Sequence, residues 1–176
     1  MKFLPTSLEQ VILIQPDPHR DDRGEFARLF CEKEFSQAGL HTRFVQSSYS
    51  TNVKKGILRG MHFQTSPMAE DKLVRCTRGS IYDVVVDLRP HSKTYLKWYA
   101  VELTEKNHFS LWIPRGCAHG YQTLTDETEV HYLMDEFYSP DHATGIPYDD
   151  TQINIHWPLA NPVVSEKDRS FSPFKP

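Results

Sequence analysis

Cysteine is scarce and scattered. The chain of 176 residues has three, Cys31, Cys76 and Cys117, and no C-x-x-C pair. That excludes a zinc ribbon or a disulfide framework as the basis of the fold. The three read as reduced thiols of a cytoplasmic protein. No apolar run approaches the roughly 20 residues that cross a bilayer. The opening Met1-Lys2-Phe3-Leu4-Pro5-Thr6 has no long apolar core and no small-residue cleavage site, so no secretory signal is expected. Net charge is small: 20 Lys and Arg against 23 Asp and Glu give −3. Such a balance carries no sequence-wide basic footprint, which argues against nucleic acid as the main partner. Low-complexity tracts, repeats and linker-like stretches are also missing. The reading is one domain over residues 1–176, with an extended tail at residues 171–176.

What is present is an ordinary globular composition, 39% hydrophobic, 24% charged and 12% aromatic, with nine histidines. A chain of about 150 residues already buries roughly 68–70% of its unfolded surface, so one good core is within reach. Short β-rich runs separated by turn residues dominate. They fall at Val11-Ile12-Leu13-Ile14, residues 44–50, 73–77, 81–88, 95–103, 109–113, 120–124 and 127–134, with a turn at Arg78-Gly79. Val84-Val85-Val86 is continuous, as in a strand buried on both faces. In the last run, Val130, Tyr132 and Met134 share one face and Glu129 and His131 the other. Helix is expected over residues 32–38, stopped by Gly39, and in a second short piece after the Asp149-Asp150 turn. Many short strands with few helices predict an all-β protein, an antiparallel jelly roll in the first instance.

Two segments concentrate chemistry. Gly56-Ile57-Leu58-Arg59-Gly60-Met61-His62-Phe63-Gln64 brings histidine and arginine together on a predicted strand, and Lys72 opens the next. Ile113-Pro114-Arg115-Gly116-Cys117-Ala118-His119-Gly120 resembles the second signature segment of the cupin superfamily, whose members are small jelly-roll barrels. Metal-binding cupins usually offer two histidines two apart. Here that pair is His62 and Gln64, so a metal-dependent reading must use His62, Glu70 and His119 as a two-His-one-carboxylate site. Gln64 is a poor ligand, and Arg59 and Lys72 would repel a cation. A neutral histidine beside fixed cations suits a different chemistry, in which a proton is removed next to a carbonyl and the enolate is stabilised.

Across nearly its whole length the sequence resembles the dTDP-4-dehydrorhamnose 3,5-epimerases. The matching blocks include Asp22-Arg23-Gly24-x-Phe26, Val45-Gln46, Leu58-Arg59-Gly60-Met61-His62-Phe63-Gln64, Lys72-Leu73-Val74 and Asp83-Val84-Val85-Val86-Asp87-Leu88-Arg89. They continue through Ile113-Pro114-x-Gly116-x-Ala118-His119-Gly120, Tyr132, Tyr138, Gly145-Ile146, Ile155-x-Trp157-Pro158 and Ser165-x-Lys167-Asp168. The resemblance implies a metal-free, cofactor-free cupin homodimer acting on a nucleotide-linked 4-keto-6-deoxy sugar. In that reading His62 is the base, Asp168 orients it, Tyr132 returns a proton from the opposite face and Lys72 stabilises the enolate. Arg59 and His119 match substrate-contacting positions near the phosphates and the sugar. Arg23 and Phe26 match residues that reach the nucleotide, partly across the dimer. Mono-epimerases of the family can keep the same His62 and Tyr132 pair, so inversion at C3, C5 or both stays open. A non-catalytic sugar-nucleotide binder and a ketoisomerase on the same barrel stay open as well.

Two departures concern the nucleotide. The family usually has glutamate where this chain has Arg28, and aspartate then asparagine where Ser47 and Ser48 follow Gln46. Those positions contact or border the base, so a cytidine diphosphate sugar is expected as an alternative to the thymidine one, its pyrimidine stacking near Tyr138. Alternation along the first block raises a separate difficulty. It puts His62 and Arg59 on opposite faces, unless Gly60 hosts a bulge.

Overall fold

A computed structural model describes residues 1–174 of the chain; Lys175 and Pro176, the end of the expected tail, lie outside the described residues. The strands in chain order are β1 (Lys2–Pro5), β2 (Ile12–Gln15), β3 (His19–Asp21) and β4 (Gly24–Phe26), then helix α1 (Glu32–Gln37). They continue with β5 (Gln46–Asn52), β6 (Leu58–Gln64), β7 (Lys72–Arg78), β8 (Ser80–Asp87) and β9 (Trp98–Thr104). The series ends with β10 (Ser110–Ile113), β11 (Cys117–Thr123), β12 (Thr128–Met134), β13 (Ala143–Gly145) and helix α2 (Glu166–Arg169).

Two antiparallel sheets carry the structure. One has six strands in the order β1-β2-β10-β7-β12-β5, the other five in the order β13-β6-β11-β8-β9, and β3 pairs with β4 as a separate hairpin. The sheets face each other across a core of Val74, Cys76, Leu111, Ile113 and Val130 from the first and Ile81, Val85, Leu103, Cys117 and Tyr121 from the second. The all-β expectation holds, and the sheets stay open rather than closing into a continuous barrel. A second cluster covers the outer face of the five-stranded sheet, where Met61, Val84, Val86 and Ala118 pack on Ile146, Ile153 and Ile155. This explains the unbroken valine run: Val85 points between the sheets and its two neighbours point out into a second buried layer. A third cluster seats Phe35 of α1 on Ile14, Leu73 and Trp112.

The helix expectation at residues 32–38 is met by α1, with Ala38 as its C-cap and Gly39 at φ +74°. The strand expected at residues 95–103 begins later, at Trp98, because Ser92 and Thr94 turn their hydroxyls onto the buried Asp87 carboxylate. Arg89 completes that anchor through Nε at 2.8 Å and Nη2 at 2.9 Å. Burial acts to raise the Asp87 pKa, but the Arg89, Ser92 and Thr94 hydrogen bonds outweigh it and bring the group down to about 2. A carboxyl depressed in the folded state stabilises above its unfolded pKa of about 3.9, and that contribution disappears as pH falls through about 2. Asp87→Ala should therefore cost about 3 kcal/mol in urea unfolding at neutral pH, since it leaves Arg89 and two hydroxyls without their acceptor. The difference from the parent chain should shrink on acidification toward pH 2.

Candidate active site

Inward-facing positions of these strands turn polar beside the core. On β5 the inner set is Gln46, Ser48, Ser50 and Asn52; β6 adds His62, β7 adds Lys72, β11 adds His119 and β12 adds Tyr132. The alternation difficulty at Arg59 is resolved by a bulge. His119 pairs with His62 and Tyr121 with Arg59, so three steps along β6 match two along β11. The extra residue returns Arg59 and His62 to one face. Glycine makes this possible. Gly60 sits at φ +140°, and a Cβ there would lie 2.6 Å from Gly120 Cα; a Cβ on Gly120 would lie 2.6 Å from Met61 Sδ. Arg59 is exposed but lies on the cavity side: Nε donates to Asn52 Oδ1 at 2.8 Å and the side chain lines the main cavity.

That cavity, about 570 Å³, is lined by Arg59, His62, Glu70, Lys72, Tyr138 and Asp168, among others. His62 Nε2 and Asp168 Oδ1 are 2.7 Å apart, across 106 positions of sequence. A parallel bridge between Ile57 and Val163 docks the C-terminal segment along the start of β6. Ser165 then caps α2 by accepting from the Asp168 N–H at 3.1 Å, and Gly60 N–H donates to Asp168 Oδ2 at 3.2 Å. Burial acts to raise the Asp168 pKa, but the His62 hydrogen bond and charge, with the Gly60 and Ser165 contacts, hold it below the usual carboxylate range. Asp168 thus stays ionised and presents a fixed acceptor to the imidazole. The edge of Phe171 also packs on the His62 ring, centroids 5.9 Å apart.

A smaller cavity of about 240 Å³ adjoins the first and is lined by Gln46, Ser48, Glu70, Lys72, Tyr132, Met134 and Tyr138. Glu70, Lys72 and Tyr138 are common to both. His62 and Tyr132 therefore flank a shared wall that carries the lysine. Burial, with the neighbouring Tyr121 hydroxyl, pushes the Tyr132 phenol well above its usual pKa, so it is protonated at neutral pH. The His119 ring stands 6.2 Å from Tyr132, and its Nε2 is 2.8 Å from Oδ1 of Asp83, a carboxylate with no exposure at all. Burial raises the Asp83 pKa and His119 partly offsets it.

The metal-dependent reading is not supported by donor geometry. His62 and His119 each face their own aspartate through Nε2, and Glu70 is bound to Lys72 and Gln64. Among the described residues the one converging group of His, Cys, Asp or Glu is His41, Asp71 and Asp135, and Arg115 already occupies its two carboxylates.

A family model described as dTDP-4-dehydrorhamnose 3,5-epimerase matches residues 5–176. The chain belongs to this epimerase family. It is 45% identical over 177 residues to the dTDP-4-dehydrorhamnose 3,5-epimerase of Methanothermobacter thermautotrophicus, covering 99% of this chain and 95% of the relative. The crystal structure of the Bacillus anthracis dTDP-4-dehydrorhamnose 3,5-epimerase with TDP and PPi bound has a TM-score of 0.95 at 39% identity, covering 98% of this chain and 99% of that one. The Legionella pneumophila dTDP-6-deoxy-D-glucose-3,5-epimerase in complex with dTDP-4-keto-L-rhamnose has a TM-score of 0.90 at 35% identity, covering 97% of this chain and 90% of that one.

Not every residue expected from the epimerase resemblance joins the cavity. Arg23 and Phe26 stand on the β3–β4 hairpin, where Phe26 is 77% exposed and Arg23 pairs with Asp21. Arg28 lies beside them and bonds Glu34 of α1 at 2.9 Å. Ser47 faces outward and bonds His131 at 2.9 Å. Sequence reasoning gave no role to Asp83 or Phe171, and it raised Glu70 only as a metal ligand. Asp83 carried a readable signal, since an acid within a fully buried strand needs a partner. Phe171 carried none, because its contact depends on how the C-terminal segment docks. Asp168→Asn should lower kcat on a 4-keto sugar nucleotide by on the order of 10²-fold or more while leaving the fold intact, because the amide removes the negative charge beside the imidazole and, with its oxygen held by the Gly60 N–H, turns an NH2 donor toward it. Steady-state kinetics alongside a thermal melt checks this.

Proposed function

We propose that this chain is an isomerase that inverts C3 and C5 of a dTDP-linked 4-keto-6-deoxyhexose. The observation that carries the proposal is the pairing of a carboxylate-bound histidine and a protonated tyrosine on two adjoining cavities that share one lysine. The C4 ketone acidifies its neighbouring C–H bonds. His62 removes the proton, and the electron pair moves onto the ketone oxygen as an enolate. Lys72 stabilises that oxygen; removal of one comparable donor elsewhere costs about 2.7–4 kcal/mol. Tyr132 delivers a proton to the other face of the same carbon, which inverts it. His62 then gives its proton to solvent and Tyr132 takes one up, which resets both groups, and repetition at the second carbon completes the reaction with no change in redox state. Arg59 and His119 then hold the phosphates and the sugar, while Tyr138, Gln46 and Ser48 border the remainder of the ligand.

The thymidine form is favoured over the cytidine form. The cytidine expectation leaned on charge reversal at Arg28 and on the serines after Gln46. In the structure Glu34 balances Arg28 and Ser47 turns away from the site, leaving Ser48 as the one change that lines the cavity of Lys72 and Tyr132. The relatives' own named substrates are thymidine-linked.

A homodimer and a cytoplasmic setting belong to the same proposal. The hairpin stands off with Phe26 bare, and β5 is an edge strand paired only through β12. Hairpin and edge complement each other across two copies of the chain, which would bring Arg23 and Phe26 to a neighbouring site. Three unpaired cysteines, two of them with thiols pushed up by burial to about 11 (Cys76) and about 12 (Cys117), suit a reducing compartment. No helix among the described residues is long and apolar enough to cross a membrane.

Incubation with dTDP-4-keto-6-deoxyglucose in deuterated water tests the reaction. NMR should show deuterium at both C3 and C5, and His62→Ala should slow its entry by about 10²–10⁴-fold, the usual worth of a general base. Deuterium at one carbon only would make this a mono-epimerase, and none at either would reject the reaction. Calorimetry should give tighter binding of dTDP than of CDP; the reverse order would restore the cytidine reading.

A further inference from the structure

Glu70 contributes a second carboxylate, besides Asp168, to the cavity that holds Arg59, His62 and Lys72. Glu70 and Asp71 lie just before β7, and their side chains diverge. Asp71 turns to the Arg115 backbone N–H at 2.7 Å, while Glu70 Oε1 meets Lys72 Nζ at 3.0 Å. Both side chains are deep, 9% and 13% exposed, and both line the histidine cavity and the tyrosine cavity. Glu70 is itself held. Gln64 Nε2 donates to Glu70 Oε2 at 3.1 Å and also reaches the carbonyls of Met68 at 2.8 Å and Phe137 at 3.2 Å. Gln64 Oε1 accepts from the Ser139 N–H at 2.6 Å. One buried amide thus ties together the loops that carry Glu70 and Tyr138.

A lysine ammonium is a point charge on a flexible four-carbon stem with three rotatable donors. Left alone it samples many positions, and an enolate is stabilised only by a donor already in place. A buried cation also needs a counter-charge in the resting protein. Each oxygen of Glu70 already carries a contact, Oε1 with Lys72 and Oε2 with Gln64. We propose that Glu70 is a positioning residue: clamped by Gln64, it fixes the Lys72 ammonium on the wall between His62 and Tyr132 and leaves its other two N–H donors for the enolate oxygen. This rests on the reading of Lys72 as the enolate-stabilising group.

Kinetics of Glu70→Ala, Glu70→Gln, Lys72→Ala and the Lys72→Ala/Glu70→Ala double variant on the 4-keto sugar nucleotide test it. Glu70→Ala should lower kcat about tenfold, as expected of a modest displacement of a reacting group, with KM within about twofold of the parent. Glu70→Gln should recover most of that loss, because its carbonyl still accepts from Lys72 and Gln64 keeps two other acceptors. In the Lys72→Ala background, Glu70→Ala should cost nothing further, since the two act as a unit. Losses that multiply in the double variant would overturn the positioning link while leaving Lys72 in its role. A raised KM at unchanged kcat would instead make Glu70 a direct substrate contact. Parent-like kcat in Lys72→Ala would refute the role of Lys72 and this inference with it.

Discussion

The contact between His62 Nε2 and Asp168 Oδ1 is the constraint on which the site depends. It joins a central strand to a four-residue helix near the far end of the chain. Everything that brings the two together is local and hydrogen-bonded: the Ile57–Val163 bridge, the Ser165 cap, and the Gly60 N–H that takes the second carboxylate oxygen. The bulge at Gly60 serves two ends at once. It aims Arg59 and His62 into the same cavity, and it frees a backbone donor for Asp168. Glycine at 60 and again at 120 is required because β6 and β11 approach there more closely than a Cβ allows.

Charge in this site is handled in pairs. His62 faces Asp168, His119 faces Asp83, and Lys72 faces Glu70. Pairing makes burial of each group tolerable, and it also fixes orientation, which is what a reaction through an enolate demands. Two groups differ. Arg59 is held by Asn52 Oδ1 and the Thr51 carbonyl rather than by a carboxylate, and Tyr132 has no ionic partner, its phenol kept protonated by burial. A histidine held by a carboxylate and a tyrosine kept neutral, on adjoining cavities, are the pair to which the proposal gives removal and return of a proton. The small net charge of the chain conceals this, because the charges that matter are local.

The sheet architecture was legible in the sequence because period-two patterning is a direct record of burial. Val130, Tyr132 and Met134 do share the inner face of β12, and the valine run of β8 is buried on both sides. Short strands escape notice where patterning is weak: β1, the exposed β3–β4 hairpin and β13 have too few buried residues to show a period. The strand expected at 95–103 starts late because a buried aspartate, not a turn residue, shapes the loop before it. Of the site, His62, Lys72 and His119 stand out by residue type beside glycines. Asp168 is visible only through resemblance, since a loop aspartate after serine reads as a helix cap, which it also neighbours here. Arg28 is misleading in isolation: its charge reversal is balanced by Glu34, and only the folded chain shows that pairing.

In the proposed mechanism His62 takes the proton from one face and Tyr132 returns it to the other, and Tyr132→Phe separates the two acts. Incubated with the 4-keto sugar nucleotide in deuterated water, this variant should still exchange the acidic C–H for deuterium through His62, while the recovered sugar keeps its original configuration. Inversion at the parent rate in Tyr132→Phe would contradict this division of labour.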